Sequence, residues 1–425
     1  NMIIFTVFSL GTLLYLGWTI LFLKKRKELD YKRFDLASGN QSSVVQLLNG
    51  MQEIKLNGSE RRRRWEWETI QARLYKVSIK SLALQQTQNI GGSSINQLKN
   101  IIITFLAAKS VIDGGLTLGA MLSVQYILGQ LNVPVNSLIS FIQSAQDTQI
   151  SLARISDVHL QEDEENKIED NVKQLPNNKS IYLNDLNFRY GSKHSPLVIK
   201  NINLEIPESK VTAIVGASGS GKTTLLKHLL RIIDPTNGDI KVGNTALSDF
   251  SVSFWRSKCG SVMQEGYVFS DTIVRNITES DSKGLVDKER LLQAVKTANI
   301  ELFIESLPMG YNTKIGASGM GISGGQKQRI LIARAIYKNP DYLFFDEATS
   351  ALDSTNESEI MKKLNSFFKK RTVVVVAHRL STVKKADNII VLERGEIIER
   401  GNHRELVNKR GVYYRLVKDQ LELGN

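Results

Sequence analysis

The sequence predicts two regions of different class: an all-α region of membrane-spanning helices, then an α/β domain. Three observations predict this. Residues Met2 to Leu23 run without a charge and end on Lys24, Lys25, Arg26 and Lys27. Two further apolar stretches, 95–112 and 116–142, carry helical spacing and meet at Asp113, Gly114 and Gly115. From about residue 180, short strand-like apolar runs alternate with helical ones; Val211–Val215 passes through glycines into LLKHLLRII.

A chain of 425 residues is too long for one ordinary domain. The helical region takes residues 1–160, an acidic linker 161–178 and the α/β domain 179–425; the linker carries QEDEENKIED and lacks an apolar period. The formal net charge is +12. Part of that excess sits directly after the first apolar run, the placement of membrane proteins with a cytoplasmic basic flank. No zinc-finger spacing or RNA-binding aromatic motif accompanies it, which argues against a nucleic-acid partner. The single cysteine, Cys259, excludes an intrachain disulfide and a thiolate metal cage, and reads as a small, partly buried residue.

The first run is long enough to cross a bilayer core, roughly 33 Å at about 1.5 Å per residue. The basic cluster puts its end in the cytoplasm. The chain opens on Asn1 with apolar residues before basic ones, the reverse of a signal peptide, so the expectation is that a longer protein precedes it. Residues 28 to about 90 are polar and helical in pattern. There Arg61 to Arg64 precede Trp65, Glu66, Trp67 and Glu68. They form either a basic contact surface or a solvated helix with pairs such as Arg62–Glu66 and Arg64–Glu68. The next two stretches carry Lys99, Asn100 and Lys109, then Gln125, Gln130, Asn132 and Asn136. Polar groups in lipid are costly, so these are expected to face a bundle interior or a water-filled path. Pro134 is expected to kink its helix.

The chemistry lies in the second region. Gly216-Ala217-Ser218-Gly219-Ser220-Gly221-Lys222-Thr223-Thr224 follows a strand and opens a helix, the context of a phosphate-binding P-loop. Glycines let successive N–H groups turn inward, and the helix N-terminus adds a favourable dipole. Lys222 is expected on the β- and γ-phosphates and Thr223 on Mg²⁺. The apolar run from Tyr342 to Phe345 ends on Asp346 and Glu347. A buried strand delivering an Asp holds Mg²⁺, and the adjacent Glu347 serves as general base for an attacking water. Ser323-Gly324-Gly325-Gln326 precedes a helical run and reads locally as an N-cap with donors suited to an anion.

Taken in order, these motifs resemble the ATP-binding cassette (ABC) proteins. Ile322 to Gln326 resembles the family's signature, with Ile322 where Leu is commoner. The resemblance implies an α-helical subdomain within the P-loop NTPase fold. It implies that Tyr190 stacks on adenine and that Gln264 senses Mg²⁺ and the attacking water. It further implies that Asp353, in Ser350-Ala351-Leu352-Asp353, lies in the D-loop and that His378 contacts the γ-phosphate. Glu347, His378 and Gln264 are then the catalytic set, with ATP and Mg²⁺ as cofactors. Where many exporters carry a Glu-Arg pair between two glycines, this chain has Gly316-Ala317-Ser318-Gly319.

Helices followed by a cassette resemble exporter half-transporters, whose six spans would here be represented by the last three. The segment from Val44 to Glu60 resembles the intracellular loop whose coupling helix docks on the opposite subunit's cassette. Phrases such as GMQEIKLNGSERRRRWEWE resemble bacterial peptide exporters of the bacteriocin-processing type, which carry a peptidase in front. The implied activity is ATP-driven export of a peptide or bacteriocin by a homodimer in the bacterial inner membrane with its cassettes in the cytoplasm. A lipid or multidrug exporter, and a soluble or regulatory ABC ATPase, are the alternatives.

Overall fold

A computed structural model describes residues 2–160, 164, 172–192, 194–281, 284–316, 319–348, 354–377 and 383–422. The chain divides into two units, Asn1–Glu162 and Asp163–Asn425.

The first unit is made of helices α1 (Met2–Asn49), α2 (Met51–Leu56), α3 (Glu60–Ile112) and α4 (Leu118–His159). The apolar run and the polar stretch after it form one helix: α1 has 48 residues, so it is about 72 Å long and far outreaches a bilayer core. By length and composition α1 alone among the described helices qualifies as a membrane span. The charged and amide residues within α3 and α4 lower their hydropathy, and Pro134 lies inside α4, which continues through it.

α1 and α3 approach closely at two small residues. A Cβ on Gly91 would lie 2.4 Å from the Trp18 ring, and one on Gly92 2.3 Å from the Tyr15 ring. The Trp18 indole donates to the Gln88 carbonyl at 3.1 Å. Further along, Asn40 Oδ1 accepts from Trp67 Nε1 at 2.9 Å and from Gln71 Nε2 at 2.6 Å. Lys99 is 4 % exposed, donates to Asn132 Oδ1 at 3.2 Å and lies 4.4 Å from the Phe8 ring centre. The expected inward placement therefore holds for Lys99. Lys109, Gln125, Gln130 and Asn136 are exposed on this unit, where three helices leave those faces uncovered. The arginine run forms its helical pairs, Arg62–Glu66 at 3.9 Å, Arg63–Glu66 at 3.0 Å and Arg64–Glu68 at 2.7 Å.

The second unit carries two sheets. The smaller is antiparallel, with β1 (Ile181–Phe188) between β2 (Ile199–Ile206) and β4 (Asn237–Val242), and β5 (Thr245–Ala246) at the edge of β4. The larger contains β3 (Val211–Val215), β6 (Cys259–Val262), β7 (Tyr342–Asp346), β8 (Thr372–Val376), β9 (Asn388–Glu393) and β10 (Glu396–Gly401), in the order β10-β9-β3-β8-β7-β6. All its pairs are parallel except β9–β10. Every residue of β7 and β8 is buried, which is why these strands read as unbroken apolar runs.

Side chains alternate between two cores. Ala213, Leu343 and Val373 pack with helices α8 (Lys288–Thr297) and α10 (Gly324–Tyr337). Ile214, Phe344 and Val374 pack with α5 (Lys222–Leu229) and the smaller sheet. Cys259 is fully buried, and desolvation pushes its thiol well above the ordinary range, so it is an unreactive core residue.

Candidate nucleotide site

The parallel pairing sends β3, β7, β8 and β6 out at one edge of the sheet, the edge where open α/β sheets bind ligands. Ile214, Val376 and Asp346 are opposite one another in register across β3, β8 and β7. One strand separates the two functional strands, so their ends lie about 10 Å apart.

At the end of β3 the chain must pass under a neighbouring backbone. A Cβ on Gly216 would lie 2.1 Å from the Leu392 carbonyl, so only glycine fits there. The loop then enters α5 at Lys222 through Gly221, whose φ is +103°. Lys222 is 6 % exposed. Its Nζ donates to the carbonyls of Gly216 at 2.9 Å and Ala217 at 2.8 Å. Desolvation lowers its pKa below that of an ordinary lysine, and the nearby Glu347 and Asp346 charges oppose the shift. The loop's lysine and the strand-end carboxylates are thus close enough to feel one another. Ser220 Oγ is buried and makes no hydrogen bond among the described residues. Thr223 is partly buried on the first turn of α5. The Tyr190 hydroxyl meets Thr224 Oγ1 at 3.3 Å, while its ring, packed edge-on against Phe188, is 46 % exposed.

Asp346 closes β7 with a fully buried carboxylate. Glu347 turns sharply, with φ of +50°. Its N–H donates to the Val376 carbonyl at 3.1 Å. Its Oε2 accepts from Gln264 Nε2 at 3.2 Å, and its carbonyl accepts from Gln328 Nε2 at 2.9 Å. Gln264 reaches it from the segment after β6, the strand next to β7.

Ser323 is the N-cap of α10. Its hydroxyl accepts from Gln326 N at 3.2 Å, and Gln326 Oε1 accepts from Ser323 N at 2.8 Å. This capping box fixes the turn that presents Gly324 and Gly325. Among the described residues no hydrogen bond joins Ser323–Gln326 to the glycine loop. Asp353 and His378 lie outside the described residues, as do Ala317 and Ser318.

The family model described as ABC transporter matches residues 199–350, and the ABC transporter transmembrane region matches residues 2–135. The chain belongs to the ABC transporter family. Among curated proteins, this ABC chain is 36 % identical over 424 residues to the toxin RTX-I translocation ATP-binding protein of Actinobacillus pleuropneumoniae. That match covers 98 % of the chain and 59 % of the relative. The leukotoxin translocation ATP-binding protein LktB of Mannheimia haemolytica is 37 % identical over 420 residues, covering 98 % of the chain and 58 % of the relative. The chain thus spans about three fifths of the length of the curated relatives it matches. A solved bacterial Atm1-family ABC exporter with ATP bound superposes with a TM-score of 0.92 at 28 % identity, over 98 % of this chain and 72 % of that one.

The cassette also contains a contact that motif reading passed over, from Gln328 to the backbone of Glu347. Its only sequence signal is a polar residue two places after the signature on a helix whose later residues are mostly buried.

Proposed function

We propose that this chain hydrolyses ATP to drive export of a polypeptide across the bacterial inner membrane, as one half of a homodimer. The observation that carries the hydrolytic reading is the meeting of Lys222, Asp346 and Glu347 at one edge of a parallel sheet, with Gln264 on the Glu347 carboxylate. Support for export of a large cargo of this kind comes from the relatives, two of which are named for translocating a toxin, RTX-I, and a leukotoxin. A bacteriocin-type peptide is the narrower case of that cargo.

The residues fit a magnesium nucleotide. A glycine cradle lies beside a buried lysine, Ser220 Oγ has an unused hydrogen-bonding capacity, and a buried carboxylate closes the next-but-one strand. Among the described residues no group of three or more His, Cys, Asp or Glu could cage a metal, so Mg²⁺ would rest on Thr223 and Asp346, with Gln264 near, and on substrate oxygens. When bound, Mg²⁺ neutralises charge on the β- and γ-phosphate oxygens.

The chain's own residues do the rest. The ammonium of Lys222 leaves the Gly216 and Ala217 carbonyls for phosphate oxygens. Residues 216–224 offer backbone N–H donors to the phosphates, and Thr224 extends the same turn. Glu347 takes a proton from the attacking water while the Gln264 amide holds its carboxylate in position. His378 is proposed on the γ-phosphate, Asp353 at the dimer seam, and the exposed Tyr190 ring under adenine. Ser323, Gly324 and Gly325 serve the partner's nucleotide, so two sites form head to tail in a C₂ dimer. We read α2 as the coupling helix, carrying cassette closure to residues 1–160, with 161–178 as linker and 179–425 as cassette.

The test is the full-length protein reconstituted in liposomes. ATP-dependent accumulation of a labelled leader-bearing polypeptide in the lumen is expected. Steady ATP hydrolysis with no polypeptide movement would reject the cargo, and absence of hydrolysis would reject the reaction.

A further inference from the structure

Glu347 adopts a left-handed backbone with φ of +50°. For a residue with a Cβ that conformation is unfavourable and persists only where neighbours impose it. Among the described residues three groups do so, one on each part of the residue. The Val376 carbonyl takes its N–H, the Gln264 amide holds its carboxylate, and the Gln328 amide holds its carbonyl at 2.9 Å. The first two come from the sheet edge itself. Gln328 comes from α10, which belongs to a different layer and packs Ile330, Ile332 and Ala333 into the core beneath the sheet.

The start of α10 is rigid. Ser323 and Gln326 close a reciprocal capping box, and Gln328 follows within the next turn. It is half-buried, between the exposed Gly324 and the buried run Ile330 to Ala333. A stiff path of about one helical turn therefore runs from the glycines of the signature to Gln328 and so to the peptide of Glu347.

We infer that Gln328 is a positioning residue for hydrolysis: its amide fixes the backbone of the base Glu347 and ties that base to the signature helix of the same subunit. The inference rests on the proposed role of Glu347 and on the head-to-tail dimer. In that dimer the signature glycines contact the partner's nucleotide while Glu347 acts on the subunit's own. Gln328 thus connects the two sites through one subunit. A shift of α10 on the partner's nucleotide moves the Glu347 carbonyl through the Gln328 hydrogen bond, and the carboxylate follows.

The experiment is steady-state ATP hydrolysis by the full-length protein in lipid, with nucleotide affinity and thermal stability measured alongside. Gln328→Met keeps the length of the side chain and removes the donor. Gln328→Glu replaces the donor with an acceptor, and Gln328→Lys restores an N–H donor on an unbranched stem. Loss of one hydrogen bond that acts only on catalysis predicts a kcat about fivefold to tenfold lower for Gln328→Met and Gln328→Glu. The KM for ATP and the nucleotide affinity stay at their wild-type values, and Gln328→Lys recovers most of the rate. If Gln328→Met does not fold, the contrast between Gln328→Glu and Gln328→Lys carries the same test. Wild-type kcat in the donor-less variants, or equal loss in Gln328→Lys, overturns the inference. Glu347→Gln separates the two levels. Turnover surviving there sinks the base itself, whereas a dead Glu347→Gln beside an unaffected Gln328→Met sinks only the role of Gln328.

Discussion

The side-chain amide of Gln264 donates to Glu347 Oε2 at 3.2 Å, across 83 residues of sequence. The contact arises because β6 and β7 are parallel neighbours with Val262 opposite Phe345, so Gln264 and Glu347 both lie two residues past a register pair. The amide holds the Glu347 carboxylate by one of its oxygens. Glu347→Gln removes the charge while keeping the shape. Phosphate release is expected to fall by about 10²–10⁴-fold, the usual worth of a positioned base. ATP binding is retained, and gel filtration with Mg²⁺ and ATP should show a persistent dimer. Turnover near wild type, read as phosphate released per minute, would exclude Glu347 as the base.

A head-to-tail arrangement makes a sharper prediction than any single variant. Lys222→Ala removes a cation that holds two carbonyls in the free loop, and Ser323→Ala removes the hydroxyl that caps α10. Each homodimer then carries two defective sites. In a mixed dimer both lesions fall on the same site and leave the other whole. Co-expressing the two inactive variants with different affinity tags and purifying the mixed dimer should restore hydrolysis that neither has alone. A mixed dimer as dead as its parents would mean that each cassette completes its own site.

Gly216→Ala tests the loop geometry independently of chemistry. The added methyl would lie 2.1 Å from the Leu392 carbonyl, a contact that backbone must shift to relieve. Strain of this kind typically costs about 1–3 kcal/mol or more. The expected result is a lower melting temperature together with loss of nucleotide binding by fluorescence titration. Gly219→Ala in the same loop meets no atom within 4 Å and is strained only by its φ of +77°, so its cost should be smaller.

The C-terminal helices give a pH prediction. Tyr413 is buried, its hydroxyl meets His403 Nδ1 at 2.7 Å, and desolvation pushes its pKa up to about 12. A raised folded-state pKa contributes stability that is complete below the unfolded value, about 10, and is lost as pH rises through about 12. Denaturant melts between pH 9 and pH 12 should therefore show a decline of up to about 2–3 kcal/mol that Tyr413→Phe lacks. Parallel declines in both proteins would refute it.

The site's parts were legible in the sequence wherever chemistry depends on neighbours along the chain. The glycine loop is recognisable because a strand, a turn and a helix N-terminus are contiguous, and Asp346 because its strand is apolar throughout. The helical periods of residues 2–160 were legible too. The continuity of α1 was not, because a change from apolar to polar composition at Lys24 reads as an end although nothing there breaks a helix. The exposure of Lys109 and Gln125 was likewise hidden, since which face of a helix is covered depends on what packs beside it.

By itself the sequence determined the order of the elements and the residue types able to hold phosphate, metal and water. Tertiary structure alone decided that Asp346, Val376 and Ile214 share a row, that Leu392 forbids a side chain at residue 216, and that Gln328 holds Glu347. The reason is physical. Each of those decisions involves a backbone N–H or carbonyl, groups that every residue type carries alike, so no letter in the sequence marks the partner until the chain has brought the two together.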